Sequence, residues 1–134
     1  MAQQRFLLDT NILIFALLAS RRLDAETRAL LGDQENTVYF STASIWEIAI
    51  KSCLNKADFA ITAEKIFALA IETGFIELTV MSIHTFAVAH MPLHHRDPFD
   101  RLLIAQAQSL PAYLLTSDGV LSQYSDNVRL IAIK

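Results

Sequence analysis

The stretch HHRDPFDRLLIAQA, residues 94–107, carries acidic side chains at the start of an amphipathic helix and apolar side chains along the rest of it. Pro98 suits the first helical position, where the missing N–H would be unpaired in any residue, and Asp97 before it suits the N-cap. Asp100 then falls in the first turn, where its charge meets the positive end of the helix dipole. Capping alone accounts for both acids, so any further role depends on what the rest of the chain brings to them.

Apolar runs and helical patterns alternate along the chain. The alternation predicts an α/β fold of three layers, in which a central parallel sheet of about five strands is flanked by helices. The predicted strands are 5–8, 37–40, 75–80, 113–116 and 128–131. The predicted helices are 12–18, 24–31, 41–51, 63–73, 83–90 and one that starts at Pro98 and ends before Pro111. Asp24, Thr62 and Ser82 stand at predicted N-caps, and Gly32 and Gly74 directly follow two helices.

The length and the cysteine content bound the class of protein. At 134 residues the chain is predicted to be one domain, 1–134, which can bury roughly two thirds of its unfolded surface without covalent staples. Cys53 is the only cysteine, which excludes an intrachain disulfide and favours the reducing cytoplasm. The start has no signal-peptide pattern and the longest apolar run, 12–19, is too short to cross a bilayer, so we expect a soluble protein without membrane contact.

The balance of apolar and charged residues points to a partner. Hydrophobic residues make up 53% of the chain and charged residues only 19%, which is below the quarter that soluble domains usually carry. We therefore expect a homo-oligomer or a tightly held partner, although a buried parallel sheet would also raise the apolar content. The net charge of −3 argues against a protein that tracks long stretches of nucleic-acid backbone, but not against a short substrate held at a metal.

Four acidic residues stand where a parallel sheet gathers ligands: Asp9 after the first strand, Glu47 on the helix after the second, Asp100 at a helix start and Asp118 after the fourth strand. Each has an ordinary alternative. Asp9 can be an N-cap, and Glu47 can form a capping box with Ser44 or an i,i+4 ion pair with Lys51. Helices that follow parallel strands begin at the same edge of the sheet, so all four acids can face one crevice.

Carboxylates this close together require a counterion to stay ionised. Oxygen ligands alone predict a hard cation, Mg²⁺ or Mn²⁺. Zinc is not expected, because Cys53 is solitary and the adjacent His94 and His95 cannot easily aim at one ion. Such a cluster suits phosphodiester hydrolysis, in which one ion activates water and a second stabilises the leaving oxygen.

Each acid then has a predicted role. Asp9 and Asp100 bind the metal directly, Asp118 completes the cluster, and Glu47 binds a second ion or orients the water. The predicted supporting groups that hold the carboxylates are Thr10, Asn11, Thr116 and Ser117. The candidate phosphate contacts, for which a solvated surface charge is the commoner role, are Lys51, Arg21, Arg22, Arg96 and Arg101.

Four short motifs together resemble the PIN domain family and, within it, the VapC-type toxins of bacterial toxin-antitoxin pairs. The motifs are LDTN at 8–11, SIWE at 44–47 with Lys51, DPFDRLLIA at 97–105 and LTSD at 115–118. The resemblance covers essentially the whole chain and implies a PIN-like fold. It maps the metal-binding and catalytic acids of the family onto Asp9, Glu47, Asp100 and Asp118, and leaves Asp97 as a helix cap.

The resemblance also implies an activity and partners. Such a protein is a Mg²⁺- or Mn²⁺-dependent endoribonuclease that forms a homodimer and cuts structured RNA, such as transfer RNA or ribosomal loops. A cognate antitoxin wraps the apolar groove of such a toxin and can place a basic side chain in the acidic site.

Three other classes compete with this interpretation. A receiver domain of two-component signalling needs an aspartate after its third strand, and 79–81 offers none. A haloacid-dehalogenase-type phosphatase needs an aspartate two residues after the first one, where this chain has Asn11. A PIN-like module that binds RNA or protein without cutting it is the third, and the complete set of four acids argues against it.

Overall fold

Five short strands form the central sheet of the protein in a computed structural model that describes residues 3–54, 61–92 and 97–134. The strands are β1 (Arg5–Leu8), β2 (Thr37–Ser41), β3 (Ile76–Leu78), β4 (Tyr113–Thr116) and β5 (Val128–Leu130). They lie in the order β3-β2-β1-β4-β5 and every neighbouring pair is parallel. The predicted parallel α/β sheet of five strands is therefore confirmed.

Six α-helices connect and cover the strands. They are α1 (Thr10–Leu18), α2 (Ala25–Gly32), α3 (Thr42–Leu54), α4 (Ala63–Thr73), α5 (Ser82–Val88) and α6 (Pro98–Ser109), with short 3₁₀ helices at Ser20–Arg22 and Gly119–Gln123. The side chains of Asp24 and Thr62 cap α2 and α4 as predicted. Gly74 ends α4 with a φ of 98°, a conformation that glycine adopts without a Cβ clash.

Several element boundaries differ from the prediction, among them those of β3, α2 and α5. β3 spans only three residues: the N–H of Phe75 donates to the carbonyl of Ala70 at 3.0 Å and so belongs to the end of α4, and Thr79 and Val80 lie beyond the strand. Gly32 lies inside α2 as its last residue. The N-cap of α5 is Met81 and not Ser82, since Nδ1 of His84 accepts from the Met81 N–H at 2.9 Å. The loop predicted at 91–95 lies partly outside the described residues.

Two hydrophobic cores cover the two faces of the sheet. Alternate residues of β1 point to opposite faces: Phe6 and Leu8 pack with α1, α3 and α4, whereas Leu7 packs with α6. All three side chains are fully buried, because helices cover both faces of a parallel sheet. The three-layer arrangement is thus confirmed, and the carboxyl ends of the strands are left as an open edge.

The described part of the chain contains no helix that is long and apolar enough to span a bilayer.

Candidate functional site

A cleft of about 270 Å³ opens at the carboxyl edge of the sheet. All four predicted acids line it, although they come from four separate segments of the chain. The described lining residues are Asp9, Thr10, Asn11, Glu47, Lys51, Asp97, Asp100, Ser117 and Asp118. The juxtaposition expected for a parallel sheet is therefore present, and metal binding by these four residues remains a prediction.

Asp9 both caps a helix and faces the cleft. One carboxylate oxygen accepts from the Ile12 N–H at 2.8 Å, which makes Asp9 the N-cap of α1, and the other accepts from the Thr116 hydroxyl. The residue is only 7% exposed. Burial raises the pKa of Asp9 to about 6, and the charges of Glu47 and Asp118 add to that rise, while the two hydrogen bonds oppose it. Asp9 is therefore both the N-cap of α1 and a residue of the candidate site.

Glu47 lies on the second turn of α3. Ser41 Oγ accepts from the Ala43 N–H at 3.0 Å and the helix begins at Thr42, so the capping box that Ser44 could form with Glu47 does not exist. Instead, Thr10 donates to Glu47 Oε1 at 2.6 Å, and Lys51 Nζ lies 3.2 Å from Glu47 Oε2. The i,i+4 ion pair predicted as an alternative role is confirmed, and Thr10 holds the carboxylate as a supporting group.

Thr116 links two of the acids. Its hydroxyl donates to Asp9, and the same oxygen accepts from the Asp118 N–H at 3.1 Å. Asp118 Oδ1 in turn accepts from the Val120 N–H at 3.0 Å and caps the 3₁₀ helix Gly119–Gln123. This short helix is absent from the elements predicted from the sequence. The Asp-Gly pair at 118–119, which favours a turn, was the available signal.

Asp97 and Asp100 reach the cleft from the start of α6. Asp97 Oδ1 accepts from the Phe99 N–H at 2.9 Å, which confirms the predicted N-cap. Asp97 also lines the cleft, a position that the sequence analysis did not predict for it. The sequence contained a signal for this position: Asp97 is the N-cap and Asp100 is the third residue of the helix, so both side chains lie at the same end of α6.

The donor chemistry of the cleft fits a hard cation, since five carboxylates and a few hydroxyl and amide groups line it. Among residues 3–54, 61–92 and 97–134, however, no three histidine, cysteine, aspartate or glutamate side chains form a group that could hold a metal ion as they lie. Both oxygens of Asp9 and both oxygens of Glu47 already have protein partners. Each carboxylate oxygen has a second lone pair and can accept a hydrogen bond while it binds a cation, so these contacts orient the two side chains, and a cation on Glu47 would chiefly displace the positively charged Lys51.

Of the described cations predicted to contact phosphate, only Lys51 lines the cleft. Arg22 lies beyond the C-terminus of α1, at the far end of that helix from Asp9, where its guanidinium stacks on Phe15 at 4.4 Å and donates to the Lys134 carbonyl at 3.1 Å. Arg21 belongs to the same 3₁₀ helix. The prediction for these two arginines is not supported, and Arg96 lies outside the described residues.

Several solved structures share this fold. A chain of VapBC2 from Rickettsia felis, solved with a DNA fragment from the promoter, matches with a TM-score of 0.72, 16% identity and coverage of 98% of this chain and 100% of that one. A chain of DNA-bound VapBC from Salmonella typhimurium matches with a TM-score of 0.66, 15% identity and coverage of 95% and 96%. A toxin-antitoxin complex from Klebsiella pneumoniae matches with a TM-score of 0.62, 19% identity and coverage of 92% and 94%.

At the level of sequence, a search of curated proteins found no match. The family model of the PIN domain, in contrast, matches residues 6–127, a span that includes all four acids of the cleft. The resemblance noted from the motifs is therefore confirmed: the chain belongs to the PIN domain family.

Proposed function

We propose that this chain, as a single PIN domain over 1–134, is a metal-dependent endoribonuclease and the toxin of a toxin-antitoxin pair. The observation that carries the proposal is the cleft itself, which Asp9, Glu47, Asp100 and Asp118 line from four separate segments. PIN domains are generally nucleases, and those nucleases usually use divalent metals. Carboxylates gathered in one cleft have no comparable use in packing, because burying them together costs free energy.

These four residues are the proposed metal ligands and catalytic residues. A bound Mg²⁺ or Mn²⁺ would polarise the phosphate of the RNA and lower the pKa of a water molecule. Asp9 suits this role because the Ile12 N–H and the Thr116 hydroxyl hold its carboxylate in one orientation. A cation in the cleft would favour the charged form of Asp9 and so oppose the burial that raises its pKa to about 6.

Lys51 supplies positive charge beside the acids. Its side chain is half exposed and pairs with Glu47 at 3.2 Å, so it can turn towards solvent at little cost. We propose that Lys51 contacts a phosphate of the RNA when Glu47 turns to a metal. In the absence of metal the same ion pair reduces the repulsion between Glu47 and the other carboxylates.

The proposed partners are a cognate antitoxin and a second copy of the chain. The matched structures from Rickettsia felis and Salmonella typhimurium are VapBC complexes, and the Klebsiella pneumoniae structure is a toxin-antitoxin complex. Large apolar side chains are also exposed around β3 and α5, as expected for a surface that another chain covers: Ile76, Met81, Ile83 and Phe86. We propose the cytoplasm, where structured RNAs such as transfer RNA are found, as the compartment.

A non-cleaving module that binds RNA or protein is the second candidate. The engagement of both Glu47 oxygens by Thr10 and Lys51 favours it, because that arrangement is complete without a metal. The two candidates differ in a single measurable property, which is metal-dependent cleavage.

Cleavage of a pool of small RNAs by the purified protein tests the proposal. We expect discrete fragments with Mn²⁺, no fragments with EDTA, and a rate at least roughly 100-fold lower for Asp100→Asn, since a lost ligand weakens both metal binding and orientation. Glu72→Gln, an exposed acid on α4 outside the cleft, is the matched control and should cut like the wild type. Equal cutting by the wild type and Asp100→Asn would refute the nuclease site. Binding of RNA without cutting would favour the module.

A further inference from the structure

Trp46 leaves most of its indole ring in solvent. It is 60% exposed, although tryptophan is usually well buried, and it belongs to neither hydrophobic core. Within the described part of the chain its one aromatic contact is with Phe99, whose ring centroid lies 5.2 Å away at an interplanar angle of 65°. An edge-to-face contact of this kind orients the rings and leaves aromatic surface open.

The aromatic pair belongs to the two helices that carry three of the acids. Trp46 immediately precedes Glu47 on α3, and Phe99 stands between Asp97 and Asp100 at the start of α6. All three of these acids line the cleft. The contact of the two rings therefore joins α3 and α6 one residue along the chain from Glu47 and Asp100. Neither ring belongs to the described lining of the cleft, so the pair is placed for a part of a substrate that extends beyond the cleft.

The protein offers few positive charges near the cleft for contacts with the phosphates of a nucleic acid. The net charge is −3, and Lys51 is the one cation among the described residues that line the cleft. Neutralisation of phosphates, which usually supplies most of the affinity for nucleic acid, is therefore weak here. Stacking of bases on aromatic rings needs no positive charge and is available at any base whose face is not already covered.

We propose that Trp46, oriented by Phe99, is a stacking platform for an unpaired base of the RNA beside the bond held in the cleft. The inference rests on the proposed function and deepens it, because it names a single-stranded base next to the cut as part of the substrate. A base inside a duplex has both faces covered by its neighbours, so a paired segment does not use the platform.

The fluorescence of the protein reports on this residue directly, since Trp46 is the only tryptophan in the chain. The probe is a short degenerate 2′-O-methyl RNA, which the enzyme cannot cut, added to the wild-type protein in EDTA as a single strand or as a duplex. We expect saturable quenching by the single strand and little by the duplex. Binding detected by anisotropy of a labelled oligonucleotide without quenching, or no binding of the single strand, would overturn the platform.

Kinetics on RNA that the protein cuts provide the second test. We expect Trp46→Ala to raise KM roughly 5- to 100-fold with kcat within about threefold, because stacking lost equally from substrate and transition state changes binding alone. Trp46→Phe should retain most of the affinity. Leu54→Ala, which removes another exposed apolar side chain from α3, should leave KM unchanged.

The outcomes separate this proposal from the proposed function. Cutting by the wild type with an unchanged KM for Trp46→Ala overturns the platform and leaves the nuclease. Quenching by single-stranded RNA without any metal-dependent cutting retains the platform and overturns the nuclease. If the Trp46→Ala variant had a different oligomeric state from the wild type, as measured by its native mass, the ring would belong to a contact with another protein chain and the platform would be wrong.

Discussion

Two helices of this protein begin with an aspartate as N-cap, and folding shifts the pKa values of the two carboxyls in opposite directions. Asp9 accepts from the Ile12 N–H at 2.8 Å and Asp24 from the Thr27 N–H at 2.7 Å. Burial beside Glu47 and Asp118 raises the pKa of Asp9 to about 6, whereas hydrogen bonds from Thr27 to a largely solvated carboxyl lower the pKa of Asp24. The hydrogen bond of a cap therefore sets the direction of the pKa shift at the solvated Asp24, whereas at Asp9 burial outweighs it.

The surroundings differ because of the position of each helix in the fold. α1 follows β1, the central strand, so Asp9 lies at the carboxyl edge of the sheet among side chains from other segments. α2 follows the 3₁₀ helix Ser20–Arg22, and Asp24 has no place in the cleft. One cap is available for chemistry and the other only stabilises its helix.

The largest difference between the two caps is expected in activity. Asp9→Asn keeps a side chain that can cap α1 but removes the charge, so metal-dependent cleavage of RNA should fall at least roughly 100-fold. Asp24→Asn makes the same change at α2 and should leave the rate unchanged. Initial cleavage rates in Mn²⁺ measure both. A loss of similar size in the two variants would show that Asp9 acts only through the fold.

The threonine partners of the two caps form a second matched pair. Thr116 donates to Asp9 and accepts from the Asp118 N–H, so Thr116→Val should lower the cleavage rate roughly 10- to 100-fold by freeing both acids. Thr27→Val removes the hydroxyl beside Asp24 and should leave the rate unchanged. Thr116→Ser, which retains the hydroxyl, should recover most of the activity. Loss of activity in Thr116→Ser as well would contradict the role of the hydrogen bond.

The pH dependence of stability should differ between the caps. The pKa of Asp9 is raised from 3.8 to about 6 on folding, so the folded state binds this proton more tightly than the unfolded state. The free energy of unfolding should therefore fall by about 2 kcal/mol as pH rises from 4 to about 6.5, and the loss persists at higher pH. Urea unfolding of the wild type and of Asp9→Asn, both in EDTA and at each pH, isolates the contribution of Asp9 to the free energy of unfolding. A difference between the two proteins that does not change with pH would contradict it.

The contribution of Asp24 to the free energy of unfolding should change with pH in the opposite direction, and its effect should be the smallest. Its pKa is lowered on folding, so any stability it contributes is lost as pH falls, and solvent screens the effect. Asp24→Ala should destabilise the protein by about 1 kcal/mol at pH 7, which is the usual cost of a lost N-cap. Thermal unfolding measures this change. An unchanged midpoint would mean that the cap hydrogen bond contributes nothing at this exposed helix start.

Local patterns predicted most of the fold. β1 and β4 have the predicted bounds, and the caps at Asp24, Thr62 and Asp97 are present. These features depend on residues close in sequence, whose hydrogen bonds and apolar periodicity can be recognised without the tertiary structure. The prediction failed at Ser82, where the His84 side chain supplies the hydrogen bond at the start of α5, because such a substitution depends on side-chain orientation.

The candidate site was predicted as a set of residues and not as a set of contacts. The parallel topology was enough to bring Asp9, Glu47, Asp100 and Asp118 to one edge, since the strands that precede three of them end there. The contact of Thr10 with Glu47 and the place of Asp97 in the cleft were not predicted. Arg21 and Arg22 were proposed from charge alone, and charge carries no information on which end of a helix faces a cleft.

The sequence by itself determined the order of the helices and strands, most of their bounds to within a few residues and the elements to which the four acids belong, because these properties arise from neighbouring residues. Only the tertiary structure decided the surroundings of those acids and, for Asp9, the direction of its pKa shift. Asp9 has a raised pKa because the fold buries its carboxyl and brings the charges of Glu47 and Asp118 close to it, and Trp46 is 60% exposed although it contacts Phe99 of α6. Burial and electrostatic interaction depend on distance in space, and the chain sets that distance only when it folds.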